Sequence, residues 1–225
     1  ALETAVRAEL AAVQPAWSAE PASCEMASGG LRARRFGAPD RAGRRLPPHD
    51  AAIEAGAHGG TRYADLVDQL EKSAISAGTR KHALALLALL GDAESKVHGI
   101  SLVDVHFHEL ADWDSMLDLV AAGTIASLLE GATWTASTLP LGSGTTRTAH
   151  GLLPVPPPAV SALLVGYPWH DDGVPGERIT PTGAAIMRHL VPAAACAGGR
   201  DAGRLLAVGN GAGTRQLPGI PNILR

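Results

Sequence analysis

The stretch VHFHELADWD, residues 105–114, decides the expected fold of the middle of this chain. Its first residues complete a strand predicted over residues 102–107, where apolar and polar side chains alternate. Its acidic residues stand just before an apolar run, which predicts a helix over residues 115–129 with a carboxylate near its N-terminus. The stretch therefore joins a short strand to a long helix, and it places histidines and carboxylates together at the joint.

The composition is typical of a soluble globular protein. Hydrophobic residues make up 46% of the 225 residues and aromatic residues 4%, so the core is expected to rest on aliphatic side chains and alanine. The formal charge of -3 does not predict a basic surface that would bind nucleic acid. The longest apolar helical run, residues 83–90, is far shorter than the roughly 20 residues that span a bilayer. Without a basic-then-apolar leader, no membrane partner and a cytoplasmic location are expected.

The predicted elements mix helices and strands without strict alternation. Apolar spacing predicts helices over 2–13, 63–77, 79–97, 115–129, 159–164 and 181–190, and strands over 28–36, 102–107, 133–139, around Tyr167 and over 205–208. Thr79 is the predicted N-cap of the third helix, and residues 140–158, rich in Gly, Ser, Thr and Pro, are predicted to form a long loop. Together they predict an α+β fold, an irregular mixture in which alanine-rich helices pack on a small mixed sheet.

The chain is predicted to form a single domain over residues 1–225. The alternative is a polar edge subregion, residues 1–46, beside a main region, residues 51–225. The Pro47-Pro48 pair between them marks a flexible connection.

Five side chains in and after the opening stretch are predicted to bind a divalent metal ion. On a strand, His106 and His108 would share a face and stand roughly 7 Å apart, so both imidazoles could reach one ion. On the next helix, Asp114 and Asp118 are four residues apart and share a face, while Glu109 lies at the joint. The structural alternative is that the aspartates cap the helix and His106 is a core histidine.

A further imidazole and carboxylate pair precedes the stretch. Glu94 and His98 are four residues apart on the preceding helix, so helix, strand and helix could bring three small ligand sets together. Imidazole and carboxylate ligands suit Zn, Fe, Ni or Mn. Cys24 and Cys196 lie far apart in sequence, which predicts neither a disulfide framework nor a thiolate metal motif.

Two later segments are predicted to bind phosphate groups. A Gly-Ser-Gly-Thr run offers backbone N–H groups and hydroxyls that suit phosphate oxygens, but it lacks the Lys-Ser/Thr ending of a Walker loop. A Thr-Pro-Thr-Gly segment begins a predicted helix, whose N-terminus favours anions. A plain turn and a helix cap are the structural alternatives. The predicted binding residues are Gly142, Ser143, Gly144, Thr145, Thr180 and Thr182.

Two side chains are predicted to be catalytic. Glu109 is a carboxylate beside the predicted metal ligands, and His150 follows the Gly-Ser-Gly loop closely. For His150 three roles stay open, namely a base, a metal ligand and a hydrogen-bonding residue of the loop.

Four blocks of the sequence together resemble a known family. They are VHGISLVDVHFHELADWDSMLDLV (97–120), STLPLGSGTTRTAHGLLPVPPPA (137–159), TPTGAA (180–185) and GAGTRQLPGIPNILR (211–225). In this order they resemble the LarC family of nickel-insertion proteins. The chain departs from the family pattern at Ala111-Asp112-Trp113, where Gly-Ala-Val is usual, and at its start, where a Ser-Gly-Asp-Met type motif is usual.

The resemblance implies insertion of nickel into a pyridinium bis-thiocarboxylate mononucleotide, the nickel-pincer cofactor of lactate racemase-like enzymes. It implies a CTP-dependent reaction with Mn or Mg, and a lyase-type nickel chelatase when the protein is complete. The chain is expected to be the N-terminal part of the family, without the smaller C-terminal domain, and a homo-oligomer is left open. The alternatives are a nickel-binding assembly or carrier domain without catalysis of its own, and a divalent-metal hydrolase in which Glu109 is the base.

Overall fold

The computed structural model describes most of the chain. The described ranges are 1–14, 20–37, 61–107, 113–148, 150–197, 203–215, 217 and 219–225, and for Asp114 only the backbone is described. The chain divides into two compact units, Ala1–Pro15 with Gly56–Gly198 and Ala16–Ala55 with Gly199–Arg225. Helices and short mixed sheets confirm the predicted α+β class. The single-domain prediction and its alternative stay predictions.

The first unit contains the helices and several two-stranded sheets. Its helices, numbered along the chain, are α1 (Leu2–Ala11), α2 (Tyr63–Lys72), α3 (Ala77–His98), α4 (Trp113–Leu128), α5 (Pro158–Leu163) and α6 (Pro181–Leu190). Its strands are β3 (Thr61–Arg62), β4 (His106–Phe107), β5 (Leu139–Pro140), β6 (Thr145–Thr148), β7 (Gly151–Pro154) and β8 (Trp169–His170). β3 pairs with β4 and β6 with β7 in antiparallel fashion, whereas β5 and β8 are parallel.

The described residues of the second unit form a four-stranded sheet. Its strands are β1 (Ala22–Ser28), β2 (Leu31–Gly37), β9 (Gly211–Ala212) and β10 (Ile223–Leu224). They follow the order β1-β2-β9-β10, in which only the β2 and β9 pair is parallel. The predicted strand over 205–208 was wrong, because Leu205 and Leu206 are 78% and 84% exposed and Gly211 meets Arg34 of β2 instead.

Helices α3 and α4 cross at the centre of the first unit's core. Leu86, Leu87 and Leu90 of α3 are buried, as are Leu117 and Val120 of α4. The predicted N-cap of α3 was wrong. Ser76 is the cap, because its hydroxyl oxygen accepts a hydrogen bond from the Thr79 backbone N–H at 3.3 Å.

Thr79 lies inside the helix crossing instead. Its side chain is 1% exposed, and its hydroxyl donates a hydrogen bond to the Thr124 hydroxyl of α4 at 3.4 Å. Thr124 in turn donates to the Val120 carbonyl at 2.7 Å. Two buried hydroxyls are thus satisfied across the helix pair, which is why Thr79 is required in the core rather than at the cap.

Four loop and strand predictions needed correction. The strand predicted over 102–107 is a 3-10 turn, Leu102–Asp104, followed by the two residues of β4, because its partner β3 is equally short before α2 begins. Of the strand predicted over 133–139, only β5 at its end is formed, and it pairs with β8. The strand predicted around Tyr167 lies slightly later, at β8. The loop predicted over 140–158 contains the β6 and β7 hairpin.

A histidine pair lies between α3 and α6. His82 Nδ1 and His189 Nε2 are 2.8 Å apart, and the two rings meet edge to face. Burial, then the nearby His82 and Lys81, lower the pKa of His189 below 6.5. The folded protein therefore holds His189 neutral where the unfolded chain would bind a proton.

This pair predicts a pH-dependent loss of stability. The pKa of His189 is lower in the folded protein than the 6.5 of the unfolded chain. The contribution of His189 to the free energy of unfolding is therefore fully present above pH 6.5. It is lost as the pH falls toward the folded-state pKa, because the unfolded chain then binds the proton more readily. The free energy of unfolding of a His189→Leu variant should fall less over this window than that of the wild-type chain. Denaturant unfolding at several pH values measures both, with His170→Leu, an exposed histidine, as control. Equal slopes in all three proteins would contradict the assignment.

Candidate metal and substrate site

The opening stretch is only partly described by the structure. His106 is exposed on β4 and Phe107 beside it is buried, so the predicted alternation is confirmed at these two positions. His108 and Glu109 lie outside the described residues, as does the side chain of Asp114. Asp118 is exposed on α4. The predicted ligand set of His106, His108, Glu109, Asp114 and Asp118 therefore stays a prediction.

Trp113, the departure from the family pattern, is a core residue. It begins α4 and is 7% exposed. Its indole Nε1 is buried and, within the described part of the chain, has no hydrogen-bond partner. The ring therefore serves the packing of α4.

The structure brings His150 beside Glu94 and His98, the pair that the sequence already places on one face of a helix. We call Glu94, His98 and His150 the histidine cluster. His98 Nε2 lies 3.3 Å from Glu94 Oε2 across one turn of α3, and the rings of His98 and His150 are 4.8 Å apart between centroids, tilted by 48°. The Glu94 and His98 side chains are 27% and 37% exposed, so the cluster is open to solvent.

A tight hairpin presents His150 to the end of α3. His150 follows β6, and its backbone N–H donates to the Thr148 hydroxyl at 3.1 Å. The same hydroxyl donates to the Gly151 carbonyl at 3.1 Å, while Gly151 has the positive φ of 93° that closes the turn. The Thr-Ala-His-Gly order is the sequence signal for this turn, and it lies within the loop predicted over residues 140–158.

The Gly-Ser-Gly loop, residues 142–144, packs against the segment of residues 172–178 and is hydrogen-bonded to it. Gly142 is buried with φ of 72°, and a Cβ added there would lie 2.4 Å from the Gly176 carbonyl oxygen. The Gly176 N–H donates to the Ser143 carbonyl at 2.8 Å. Gly144 has φ of 80° but faces open space. Packing alone therefore explains Gly142, whereas Gly144, Ser143 and Thr145 lie on the exposed side of the loop.

An ion pair fixes that supporting segment. Arg178 Nε lies 2.7 Å from Asp172 Oδ2, and the two side chains are only 12% and 13% exposed. Burial alone would raise the pKa of Asp172, but hydrogen bonds from Arg178 and from the Val174 N–H, with the charge of Arg178, outweigh it and lower the pKa. The carboxylate is therefore charged in the folded protein, which keeps the Arg178 pair intact beneath the loop.

The second predicted phosphate segment begins α6. Thr180 is the N-cap, as predicted, and its hydroxyl oxygen accepts from the Gly183 N–H at 3.2 Å. Thr182 is partly buried in the first turn. Capping accounts for Thr180, so its predicted role in binding stays a prediction.

One small cavity lies between α3, α5 and α6. It has a volume of about 70 Å³ and is lined by Leu89, Asp92, Ala93, Lys96, Ala162, Leu163 and Arg188. Ligand pockets for drug-sized molecules occupy about 300–1,000 Å³, so this cavity cannot enclose a mononucleotide. Among the described residues, no three His, Cys, Asp or Glu side chains are arranged as they would be around a bound metal ion. No helix in the described ranges is long and apolar enough to cross a membrane.

Comparison with known proteins decides the family. The family model described as nickel insertion protein matches residues 3–225, nearly the whole chain. The chain belongs to the nickel insertion protein family. No solved structure matches it.

Individual members of the family are similar over most of the chain. A "Putative nickel insertion protein" of Geobacter sulfurreducens is 45% identical over 163 residues, 72% of this chain and 41% of the relative. The "Pyridinium-3,5-bisthiocarboxylic acid mononucleotide nickel insertion protein" of Geobacillus kaustophilus is 38% identical over 168 residues, 75% of this chain and 40% of the relative. This nickel insertion family chain thus spans about two fifths of the length of these curated relatives.

Proposed function

We propose that this chain takes part in the insertion of nickel into pyridinium-3,5-bisthiocarboxylic acid mononucleotide. The observation that carries the proposal is the family match over residues 3–225, together with the printed activity of the relative from Geobacillus kaustophilus. The structure adds exposed imidazoles at His106, His98 and His150 and a partly buried carboxylate at Glu94, which are ligand types that suit nickel.

The substrate's chemistry defines what the protein must do. An ion held by both thiocarboxylate sulfurs, at ring positions 3 and 5, lies beside carbon 4 of the pyridinium ring. A nickel–carbon bond at that position would require carbon 4 to lose its proton to a base. The electron pair of the broken C–H bond would become the bond to nickel, which would stay Ni²⁺. Glu109 and His150, the two predicted catalytic residues, are the proposed proton acceptors.

The ligands on the protein must also release the ion. We assign nickel binding to His106, His108, Glu109, Asp114 and Asp118, a set of nitrogen and oxygen donors. Sulfur ligands of the substrate then replace water and these donors, so an open site of exchangeable ligands suits transfer better than a closed cage would.

The mononucleotide's phosphate is assigned to Ser143, Gly144 and Thr145, with Thr180 and Thr182 at the start of α6. The exposed side of the Gly-Ser-Gly loop supports this assignment, since its glycine at 144 faces open space. Gly142, also predicted to bind, is assigned a supporting role because it packs on Gly176. CTP with Mn or Mg, and service to a lactate racemase-like enzyme, are proposed for the whole protein.

A transfer assay tests the function. The chain is incubated with Ni²⁺ and the bis-thiocarboxylate mononucleotide, with and without CTP and Mg²⁺, and nickel in the small-molecule fraction is measured by mass spectrometry. The wild-type chain should form the nickel mononucleotide, and a His106→Ala/His108→Ala variant should lose at least about 100-fold in rate if these residues handle the ion. Nickel binding without product would favour the carrier alternative, and phosphoester or amide hydrolysis would favour the hydrolase.

A further inference from the structure

We propose that Arg178, held in place by Asp172, binds the phosphate of the mononucleotide beside the Gly-Ser-Gly loop. The identity of the ligand rests on the proposed function. The anion site itself rests on the environment of the Arg178 guanidinium, which belongs to the same compact unit as the loop.

The guanidinium of Arg178 is mostly enclosed but only partly paired. Its side chain is 12% exposed, and its Nε lies 2.7 Å from Asp172 Oδ2. Its terminal nitrogens, Nη1 and Nη2, donate to no residue that the structure describes. Neither is sealed in the interior, because the enclosed and unpaired side-chain nitrogens of the described residues belong to Arg7 and Trp113. Two charged donors are therefore available to a ligand.

Asp172 orients Arg178 without covering these two donors. The carboxylate accepts from Arg178 Nε at Oδ2 and from the Val174 N–H, at 3.1 Å, at Oδ1. Both of its oxygens are thus engaged, while the edge formed by Nη1 and Nη2 stays open. That edge can donate two parallel hydrogen bonds, the arrangement in which arginine binds phosphate. A binding side chain that is locked by a neighbouring carboxylate keeps its site preformed.

Arg178 lies where the two predicted phosphate segments meet. A Cβ added at Gly142 would lie 2.9 Å from Arg178 Cγ, so the arginine packs directly against the Gly-Ser-Gly loop. Ser143 pairs with Gly176, two residues before Arg178, and Thr180, two residues after it, caps α6. The tertiary structure therefore places a cation between two segments that are far apart in sequence.

The loop brings no carboxylate of its own to this site. No Asp or Glu stands between Glu130 and Asp171 in the sequence, a range that includes the whole loop and the hairpin after it. On the supporting segment, Asp172 is balanced by Arg178, and Asp171 Oδ1 accepts from the Gly173 N–H at 2.8 Å. A phosphate at Nη1 and Nη2 would thus lie beside a loop that offers hydroxyl and N–H donors.

Calorimetric titration of the full chain with the mononucleotide, in the absence of nickel, tests the site. The same titration with the dephosphorylated nucleoside isolates the contribution of the phosphate. Arg178→Gln should weaken binding of the mononucleotide roughly 10–100-fold, because hydrogen bonds from a charged group are lost. Its affinity for the nucleoside should equal that of the wild-type chain. A merely structural role of Arg178 would weaken the binding of both ligands alike.

Arg147→Gln is the matched control. Arg147 is an exposed cation on the neighbouring strand β6, and its loss should leave both affinities unchanged. Arg178→Lys keeps the charge but not the planar pair of donors, so it should restore only part of the affinity for the mononucleotide. The double variant Asp172→Asn/Arg178→Gln leaves no unpaired carboxylate and repeats the test if Arg178→Gln does not fold. Circular dichroism checks the folding of each variant.

The outcomes separate this proposal from the proposed function. Equal affinities of the wild-type chain and Arg178→Gln for the mononucleotide would overturn it, and so would an equal loss for both ligands. A loss confined to CTP with Mg²⁺ would also overturn it, because the bound phosphate would then belong to another nucleotide. If Arg178→Gln loses the mononucleotide but the wild-type chain transfers no nickel, the proposal holds and the proposed function fails. If both proteins transfer nickel equally at subsaturating mononucleotide, the proposal fails and the proposed function stands.

Discussion

A Gly142→Ala variant is expected to be strongly destabilised, by about 2–6 kcal/mol, because two penalties coincide at one residue. The backbone has φ of 72°, which an L side chain adopts at a cost, and the new Cβ would lie 2.4 Å from the Gly176 carbonyl oxygen. That oxygen belongs to the segment whose N–H holds Ser143, so the segment cannot move away without breaking this hydrogen bond. In thermal unfolding, the midpoint should fall by roughly 5–20 °C.

Gly144→Ala is the matched control for this prediction. Gly144 has a similar φ of 80°, but nothing lies within 4 Å of the position of an added Cβ. Only the backbone penalty of about 1–2 kcal/mol should appear there. Equal melting temperatures for the two variants would mean that Gly142 is not packed on Gly176 as described. Loss of nickel transfer by Gly144→Ala, with no more than this small loss of stability, would support the assignment of this loop to the substrate.

A Gly123→Val variant should prevent the close approach of α3 and α4. A Cβ at Gly123 would lie 2.9 Å from the Thr79 carbonyl oxygen and 3.0 Å from the Ala83 backbone nitrogen. Both atoms belong to the main chain of α3, so the helices would have to separate, and the buried Thr79 to Thr124 hydrogen bond would break with them. We expect the free energy of unfolding to fall by about 2–3 kcal/mol, even though valine gains slightly over glycine in helix propensity.

Gly78→Ala, on α3, is the matched control for this helix pair. A Cβ at Gly78 would meet the Ser127 hydroxyl at 2.1 Å, which is the end of a side chain that can rotate. Since alanine is favoured over glycine in helices by up to about 1 kcal/mol, this variant should be neutral or slightly stabilised. Denaturant unfolding of both variants makes the comparison. A stable Gly123→Val variant would show that the helices do not pack as closely as the structure has them.

Local chemistry made several elements predictable. The helix from Pro181 to Leu190 was predicted with its observed ends, because Thr180 is a strong N-cap and proline suits the first helical position. Helix α3 was predicted to end at residue 97 and ends at His98, one residue away, because Gly99 has the left-handed conformation that glycine tolerates. Helix caps depend on residues that are close in sequence, so they can be predicted without knowledge of the tertiary structure.

Other features depended on partners far along the chain. Ser76 and Thr79 are both good capping residues, and only the contact with Thr124 on α4 decides that Thr79 is buried. The hairpin of β6 and β7 was not predicted, because the glycines and prolines of that segment favour a loop. The strands form through the pairing of residues such as Thr145 with Pro154, which lie nine positions apart. Sequence periodicity carries no information on such pairs.

The candidate site shows the same division. By itself the sequence determined the α+β class, the family resemblance and the residue types for a metal site, since these depend on composition, on spacing and on four blocks in order. Only the tertiary structure decided that His150 meets His98, that Gly142 packs against Gly176, and that Trp113 belongs to the core. The physical reason is that spacing along a helix or strand fixes neighbours within one element, whereas contacts between elements are fixed by the packing of the whole unit.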